Sequence, residues 1–348
     1  MNKRAQWSLD WPVSGGLRAG RAELKSAPED FRVSEVLWPE SEAGLARTPA
    51  VVPGDGEHLC LRLEKSGDNT EYVARELSAL AGCRSFDVGF CGLKDRHAVT
   101  VQWFSIYRPG QESEDKALML EIDRRWPVYG AVRHSRKLRR GDHQFNGFEI
   151  ILRNVTGSRD DLEAGLERLA KQGAPNYFGP QRFGFQGSNL SRAVQLDPSR
   201  INRKRGRAGR SASKNVLYFS AARSWLFNQV LAERVQDGTW TAVMSGEPGS
   251  GEPTGPLWGD GGTLASGTQE KLERGVVDAC PELAKLFQTT RMKPERRALV
   301  ARPDDFVWEW LDHTTLSIRF VLSPGQYATT VLGDLFELED LSLSRDNK

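Results

Sequence analysis

Strand-type alternation occurs at both ends of this chain and gives way to helical spacing in the middle, and that placement constrains the fold more than any local motif. Phe31-Arg-Val-Ser-Glu-Val-Leu37 reads as a strand, and His58 to Glu64 sets Leu59, Leu61 and Leu63 against polar neighbours. Val99, Val101 and Trp103 alternate with Thr100 and Gln102, and Phe148, Ile150 and Leu152 continue the theme. Side chains with period two line one face of a half-buried strand. From Asp304 the pattern returns in Phe306, Trp308 and Trp310, then in Leu316, Ile318, Phe320 and Leu322. Strand-rich ends around a helix-rich middle predict an α+β protein, with one sheet domain completed by the C-terminal residues and interrupted by an inserted domain. The expected division is 1–172 with 302–348 for the sheet domain and 173–301 for the insertion, a partition that 348 residues accommodate.

Helical segments have their own signals. Asn69 or Thr70 caps a helix whose Val73, Leu77, Leu80 and Ala81 share a face, with Gly82 as its stop. Asp160 to Lys171 places Leu162, Leu166 and Leu169 inward and ends at Gly173. Ser220 to Gln236 and Thr268 to Val277 read as helices, and Pro281 opens another. Residues 1–20 read as an irregular lead-in. Residues 38–57 and 245–263, dense in Pro or Gly, read as loops.

Several function classes are disfavoured. No apolar run approaches the ~18 residues that a membrane span needs, and the first residues lack the apolar core of a signal peptide. Cys60, Cys83, Cys91 and Cys280 form no CxxC pair, which fits a reducing cytoplasm and disfavours structural zinc. His58, His97, His134, His143 and His313 show no metal-ligand spacing, so no metal is expected. Net charge is only +2, but its distribution is uneven. Arg133, Arg136, Lys137, Arg139 and Arg140 crowd one stretch, and Arg200, Arg203, Lys204, Arg205, Arg207, Arg210 and Lys214 another. Such clusters are the footprint of a polyanionic partner.

The stretch Gly89 to Phe104 places one carboxylate, Asp95, between Lys94 and Arg96, with His97 close by and Gly89 and Gly92 just before it. On pattern alone this suits either a turn Asp paired with its neighbours or a site for an anionic substrate.

Gly92-Leu-Lys-Asp-Arg-His-Ala-Val-Thr followed by Gln102-Trp103 resembles the catalytic motif of the TruD family of tRNA pseudouridine synthases. Pro28-Glu-Asp-Phe-Arg-Val33, Pro175 to Gly184, Ser220 to Gln229 and Pro324 to Thr330 resemble that family too, in its order. The resemblance implies a pseudouridine-synthase catalytic domain, with a mixed, largely antiparallel sheet flanked by helices, and a family-specific α/β insertion. It implies isomerisation of uridine at position 13 of tRNA, without cofactor, metal, membrane or protein partner, by a cytoplasmic monomer. By that resemblance Asp95 is the nucleophilic carboxylate, and Lys25 matches the basic residue that precedes the Pro28-Glu-Asp-Phe31 motif. Phe31 matches the family's pocket Phe, Asn146 its Asn, and Tyr327 stands where the family usually carries Phe. Phe148 shares a strand face with Asn146 and is expected to line the same pocket.

The reaction also needs a flipped base, gripped by stacking and edge hydrogen bonds. The basic clusters and the insertion are expected to clamp RNA around it. Lys94 and Arg96, one residue from Asp95, point away from it on extended backbone and are expected to meet phosphates. His97 reads as a structural group or an RNA contact, while Gln181 and Arg182 are further candidate RNA contacts. Attack on C6 of uracil and attack on ribose C1′ ask for the same carboxylate. Two rival readings are a non-catalytic RNA-binding protein or chaperone that retains the fold, and a base methyltransferase. The methyltransferase would want a GxGxxG loop after a strand, and neither that loop nor a P-loop occurs.

Overall fold

The computed structural model describes residues 7–37, 51–52, 54–196, 210–249, 251–288 and 292–345. The strands, in chain order, are β1 (Gly20–Leu24), β2 (Phe31–Val36), β3 (Val51–Val52), β4 (His58–Lys65), β5 (Val88–Phe90), β6 (Val99–Tyr107), β7 (Val128–His134), β8 (Phe145–Gly157), β9 (Ala174–Pro175), β10 (Thr254–Leu257), β11 (Glu295–Ala298), β12 (Val300–Ala301), β13 (Asp304–Trp310), β14 (Leu316–Leu322) and β15 (Phe336–Asp340). The helices are α1 (Thr70–Leu80), α2 (Asp115–Asp123), α3 (Arg159–Gln172), α4 (Ser188–Val194), α5 (Arg210–Gln236), α6 (Gly267–Asp278), α7 (Pro281–Phe287), α8 (Ala328–Gly333) and α9 (Ser342–Arg345). They divide between two compact units. One comprises 20–157, 303–325 and 337–348, and the other comprises 1–19, 158–302 and 326–336.

The first unit is built on an 11-stranded sheet ordered β13-β14-β8-β2-β6-β4-β7-β3, with β1 joining β8 and β15, and β5 joining β6. The β2–β6 and β3–β7 pairs are parallel. The pairs β13–β14, β14–β8, β8–β2, β6–β4 and β4–β7 are antiparallel. The sheet is therefore mixed and mostly antiparallel, and late strands complete it. Helices α1 and α2 cover the half that holds β4 and β6, where Leu59, Leu61, Leu63, Phe104 and Ile106 pack against Val73, Leu77, Leu118 and Ile122. The Asn69 side chain caps α1 by accepting from Tyr72 N at 2.9 Å. Leu80, expected inward, is exposed.

Strands β4 and β6 depart from the half-buried reading, because both their faces are covered. Cys60 packs on the second face with Leu37, Cys91, Trp103 and Leu138. Thr100 and Gln102 are fully buried. The polarity of Gln102 marks internal hydrogen bonding: it accepts from Thr70 Oγ1 at 3.0 Å and donates to Gly92 O at 2.7 Å. Buried polar groups are tolerated when bonded in this way.

The second unit centres on α5, whose Phe219, Ala222, Leu226, Val230 and Leu231 are all buried. Trp7, Leu9 and Trp11 pack against its core. Phe178 exchanges two 2.9 Å hydrogen bonds with Asn228, one in each direction, which fixes the 175–184 segment against α5. Arg234, fully buried, meets Glu247 Oε1 at 2.7 Å and Gln269 Oε1 at 2.9 Å, tying a loop and α6 to the same helix. Gly173 ends α3 at φ +78, and a Cβ there would lie 2.3 Å from Ala301 O. Only glycine meets both demands without strain.

Several elements differ from expectation. The 158–302 segment begins one helix earlier than position 173, since α3 belongs with it: Arg168 reaches Asp334 at 2.9 Å and Gly165 faces Leu335. Within the stretch read as a 245–263 loop, β10 pairs with β11. At the end of the lead-in, β1 starts at Gly20, and Val51–Val52 of the 38–57 stretch pair with β7. These strands are too short for alternation to reveal them. The Arg200–Arg207 part of the second basic cluster lies outside the described residues.

Candidate active site

Asp95 sits on the loop between β5 and β6, in the unit that holds the large sheet. Its Oδ2 receives Lys25 Nζ at 2.6 Å, and its Oδ1 accepts from the backbone N–H of His97 at 3.0 Å. Lys25 is buried, and Asp340 on β15 takes its second contact at 3.1 Å. The Lys25 backbone adopts φ +57, a left-handed conformation that costs a non-glycine residue about 1 kcal/mol or more. The turn is held by Asp30, which accepts from Ala27 N at 2.9 Å and pairs bidentately with Arg153 at 2.8 and 2.7 Å. Burial pushes the Asp95 carboxyl upward, but hydrogen bonds from Lys25 and His97 N, with the Lys25 charge, outweigh it and leave the group below its usual value. With about four lone-pair directions on a carboxylate, two donors leave room for attack.

Phe31 opens β2 and lies 6.2 Å from Phe148, edge to face, with Lys25 Nζ 5.0 Å from its ring centroid. Phe148 stacks on Phe320 at 5.4 Å, which stacks in turn on Phe306 at 5.4 Å. Both Phe31 and Phe148 are buried in this aromatic row. Asn146 is buried two residues before Phe148, opposite Glu35 and Leu322 in the sheet register. Asp95, Lys25, Phe31 and Phe148 are thus joined through contacts within one unit, and Asn146 shares β8 with Phe148. Tyr327 belongs to the other unit, at the N-cap of α8, and is 39% exposed.

Lys94 corrects the phosphate expectation. Its side chain turns inward: Nζ donates to Asn146 Oδ1 at 2.6 Å and meets Glu35 Oε1 at 3.1 Å. Arg96 is exposed, with Nε donating to His97 Nε2 at 3.1 Å. Arg133, expected in the first basic patch, is buried instead and grips Asp115 at 2.7 and 2.8 Å. Arg136, Arg139 and Arg140 of that patch are exposed on the loop before β8. Arg182 turns onto α5, towards Ser220 and Ser224, while Gln181 is exposed. Tyr177, Phe178 and Phe183 pack in the core.

Three groups beside the site escaped the sequence reading. Asp340 anchors Lys25 from far along the chain. Glu35, fully buried, does have a signal: alternation along β2 puts it on the inward face with Phe31 and Val33. Lys65, also buried, donates to Asp68 O at 2.9 Å. Burial pushes its ammonium down to about 8, against the pull of Asp95 and Asp68. Gly67 N donates to Arg96 O at 3.0 Å, joining the turn after β4 to the Asp95 loop. There, Gly67, Asp68, Asn69, Tyr72, Arg75 and Arg96 line a cavity of about 410 Å³. Among the described residues, no group of three or more His, Cys, Asp or Glu gathers to hold a metal ion. No described helix is long and apolar enough to cross a membrane.

Comparison with known proteins gives a consistent result. The family model of tRNA pseudouridine synthase D (TruD) matches residues 18–192. A tRNA pseudouridine synthase D of Marinobacter nauticus is 80% identical over 352 aligned positions, covering 100% of both chains. The protein of the same name from Methylococcus capsulatus is 39% identical, covering 95% of each chain. The crystal structure of a putative tRNA pseudouridine synthase D from Methanosarcina mazei superposes with a TM-score of 0.63 at 20% identity, over 94% of this chain and 95% of that one. At that identity the match speaks for the fold alone.

Proposed function

The chain belongs to the tRNA pseudouridine synthase D (TruD) family, and on that premise we propose that it isomerises uridine to pseudouridine at position 13 of tRNA with Asp95 as nucleophile. In the net reaction the C1′–N1 bond breaks and a C1′–C5 bond forms. C5 loses a proton and N1 gains one, so nothing is oxidised and no group is imported. The observation that carries the assignment is the Lys25–Asp95 contact: a carboxylate kept ionised, in reach of solvent, whose lysine partner lies 5.0 Å from the Phe31 ring centroid. Whether attack falls on C6 of uracil or on ribose C1′, it needs an anionic oxygen in that place, and the lysine supplies the counter-charge that burial demands.

Phe31 and Phe148 form the apolar floor for the flipped base, and Asn146 meets its polar edge. The exposed Arg136, Arg139 and Arg140 contribute phosphate contacts. We further place the enzyme in the cytoplasm as a monomer that works without a cofactor. Its four free cysteines fit a reducing compartment.

The test is tritium release from tRNA transcript labelled at uridine C5, without added cofactor, comparing wild type with Asp95→Ala. Release by wild type alone supports the assignment. No release from a correctly folded transcript that the protein still binds would return the chain to the non-catalytic RNA-binding reading.

A further inference from the structure

Glu35 lies in the middle of β2 with no solvent exposure. Its carboxylate accepts from Trp103 N at 3.1 Å and from Gln102 Nε2 at 3.4 Å, and it meets Lys94 Nζ at 3.1 Å. A buried carboxylate is costly unless it is paired and hydrogen-bonded, and this one is engaged on both oxygens. The same network holds the Lys94 backbone: Lys94 N donates to Thr70 Oγ1 at 3.0 Å, and that hydroxyl donates to Gln102 Oε1 at 3.0 Å. Lys94, one residue before Asp95, is thus held at backbone and side chain by one polar cluster.

The remaining contact of the Lys94 ammonium is Asn146 Oδ1, at 2.6 Å. An ammonium has three donors and no acceptor, which forces the orientation of the carboxamide. Its oxygen faces Lys94, and its NH2 has no acceptor among the described residues. Asn146 shares its strand face with Phe148, so that NH2 is left for a ligand.

We propose that Glu35 and Lys94 are positioning residues that lock the Asn146 carboxamide, so that the site reads uracil by donating an N–H to a ring carbonyl oxygen and not by accepting its N3–H. This inference rests on the pseudouridine synthase reading above. Glu35 holds Lys94, Lys94 occupies the one acceptor of Asn146, and the base meets only the donor.

The experiment is steady-state kinetics of C5 tritium release on unmodified tRNA transcript. Asn146→Asp keeps the shape and replaces the donor by acceptors. The expected result is a loss on the order of 100-fold in kcat with little change in KM, because the rest of the RNA sets binding. The double variant Glu35→Gln/Lys94→Met removes both charges together, leaving no unpaired buried ion. It is expected to lose about 10- to 100-fold, as supporting groups around a site commonly do. In an Asn146→Ala background the same pair of changes is expected to cost less than about 3-fold, because groups acting through one side chain are not additive.

Wild-type turnover by Asn146→Asp would overturn the proposal, and so would a full additive loss in the Asn146→Ala background. If thermal melts show the Glu35→Gln/Lys94→Met protein unfolded, Asn146→Asp alone decides. A silent wild-type enzyme would overturn the functional assignment itself, which separates that failure from failure of the positioning scheme.

Discussion

Lys25 Nζ lies 2.6 Å from Asp95 Oδ2, and the lysine that makes this contact is the more buried partner, its side chain 7% exposed against 37% for the aspartate. The cation is the fixed element and the carboxylate the accessible one. Because Lys25 counters the upward push of burial on Asp95, removing it exposes that push. Lys25→Met is expected to lower kcat/KM roughly 100-fold and to move the acid limb of its pH profile to higher pH. The sign follows from the depressed carboxyl: the active anion is present above its pKa and lost as pH falls through it. The matching stability contribution is present above the usual Asp value and disappears towards lower pH. An unmoved acid limb in Lys25→Met would refute this account of the pair.

Lys65 carries the opposite kind of linkage. Its ammonium is pushed from 10.5 down to about 8 chiefly by burial, so the unfolded chain binds more protons than the folded one between those values. Stability is therefore expected to rise from about pH 8 towards 10.5 on account of this group. The rise should vanish in Lys65→Met, as read by urea unfolding midpoints across that window.

Arg133 and Asp115 form a buried bidentate pair, with Arg108 Nε as a further partner of the aspartate at 3.3 Å. Asp115→Ala leaves both guanidiniums short of their counter-charge and is expected to destabilise the protein by about 3–5 kcal/mol. Arg133→Met is expected to destabilise too, with no change in the salt dependence of tRNA binding. A lower salt slope in that variant would restore Arg133 to the RNA-contact group.

Arg136, Arg139 and Arg140 are the contrasting case, exposed on one loop. If about five phosphates are contacted in all, log K is expected to fall against log salt with a slope of roughly −3.5 to −4.5. Replacing Arg139 or Arg140 by Ala should reduce that slope by about 1 each without lowering thermal stability. Filter binding across a salt series is the check, and a wild-type slope near zero would remove the electrostatic clamp.

The candidate residues Asp95, Lys25, Phe31, Asn146 and Tyr327 rest on the family resemblance, and strand parity adds Phe148 to them. Phe31 and Phe148 fall on the inward face of their strands, and Asn146 shares that face. Parity tells which residues face together, but not what covers each side. That is why β4 and β6 looked half-buried, and why Lys94 looked like a phosphate ligand when it faces the interior. Glu35 was visible as a charged residue at an inward position. Asp340 had no local signal at all, since its partner lies 315 residues away. Arg133 looked like its neighbours in the basic stretch, and only the strand β7 that carries it explains its burial.

The Asp340 contact has a consequence for how the enzyme comes into being. Translation delivers Lys25 315 residues before Asp340, so a nascent chain on the ribosome holds the lysine for a time without its second anchor. Closing so long a loop is slow and comes late in folding. The second anchor of the Asp95 counter-charge is thereby supplied long after the stretch that carries Asp95 has been made. Chains that stop short of Asp340 carry the Asp95 stretch in full yet lack the brace that holds Lys25, so the setting of the carboxylate depends on a residue far downstream of it.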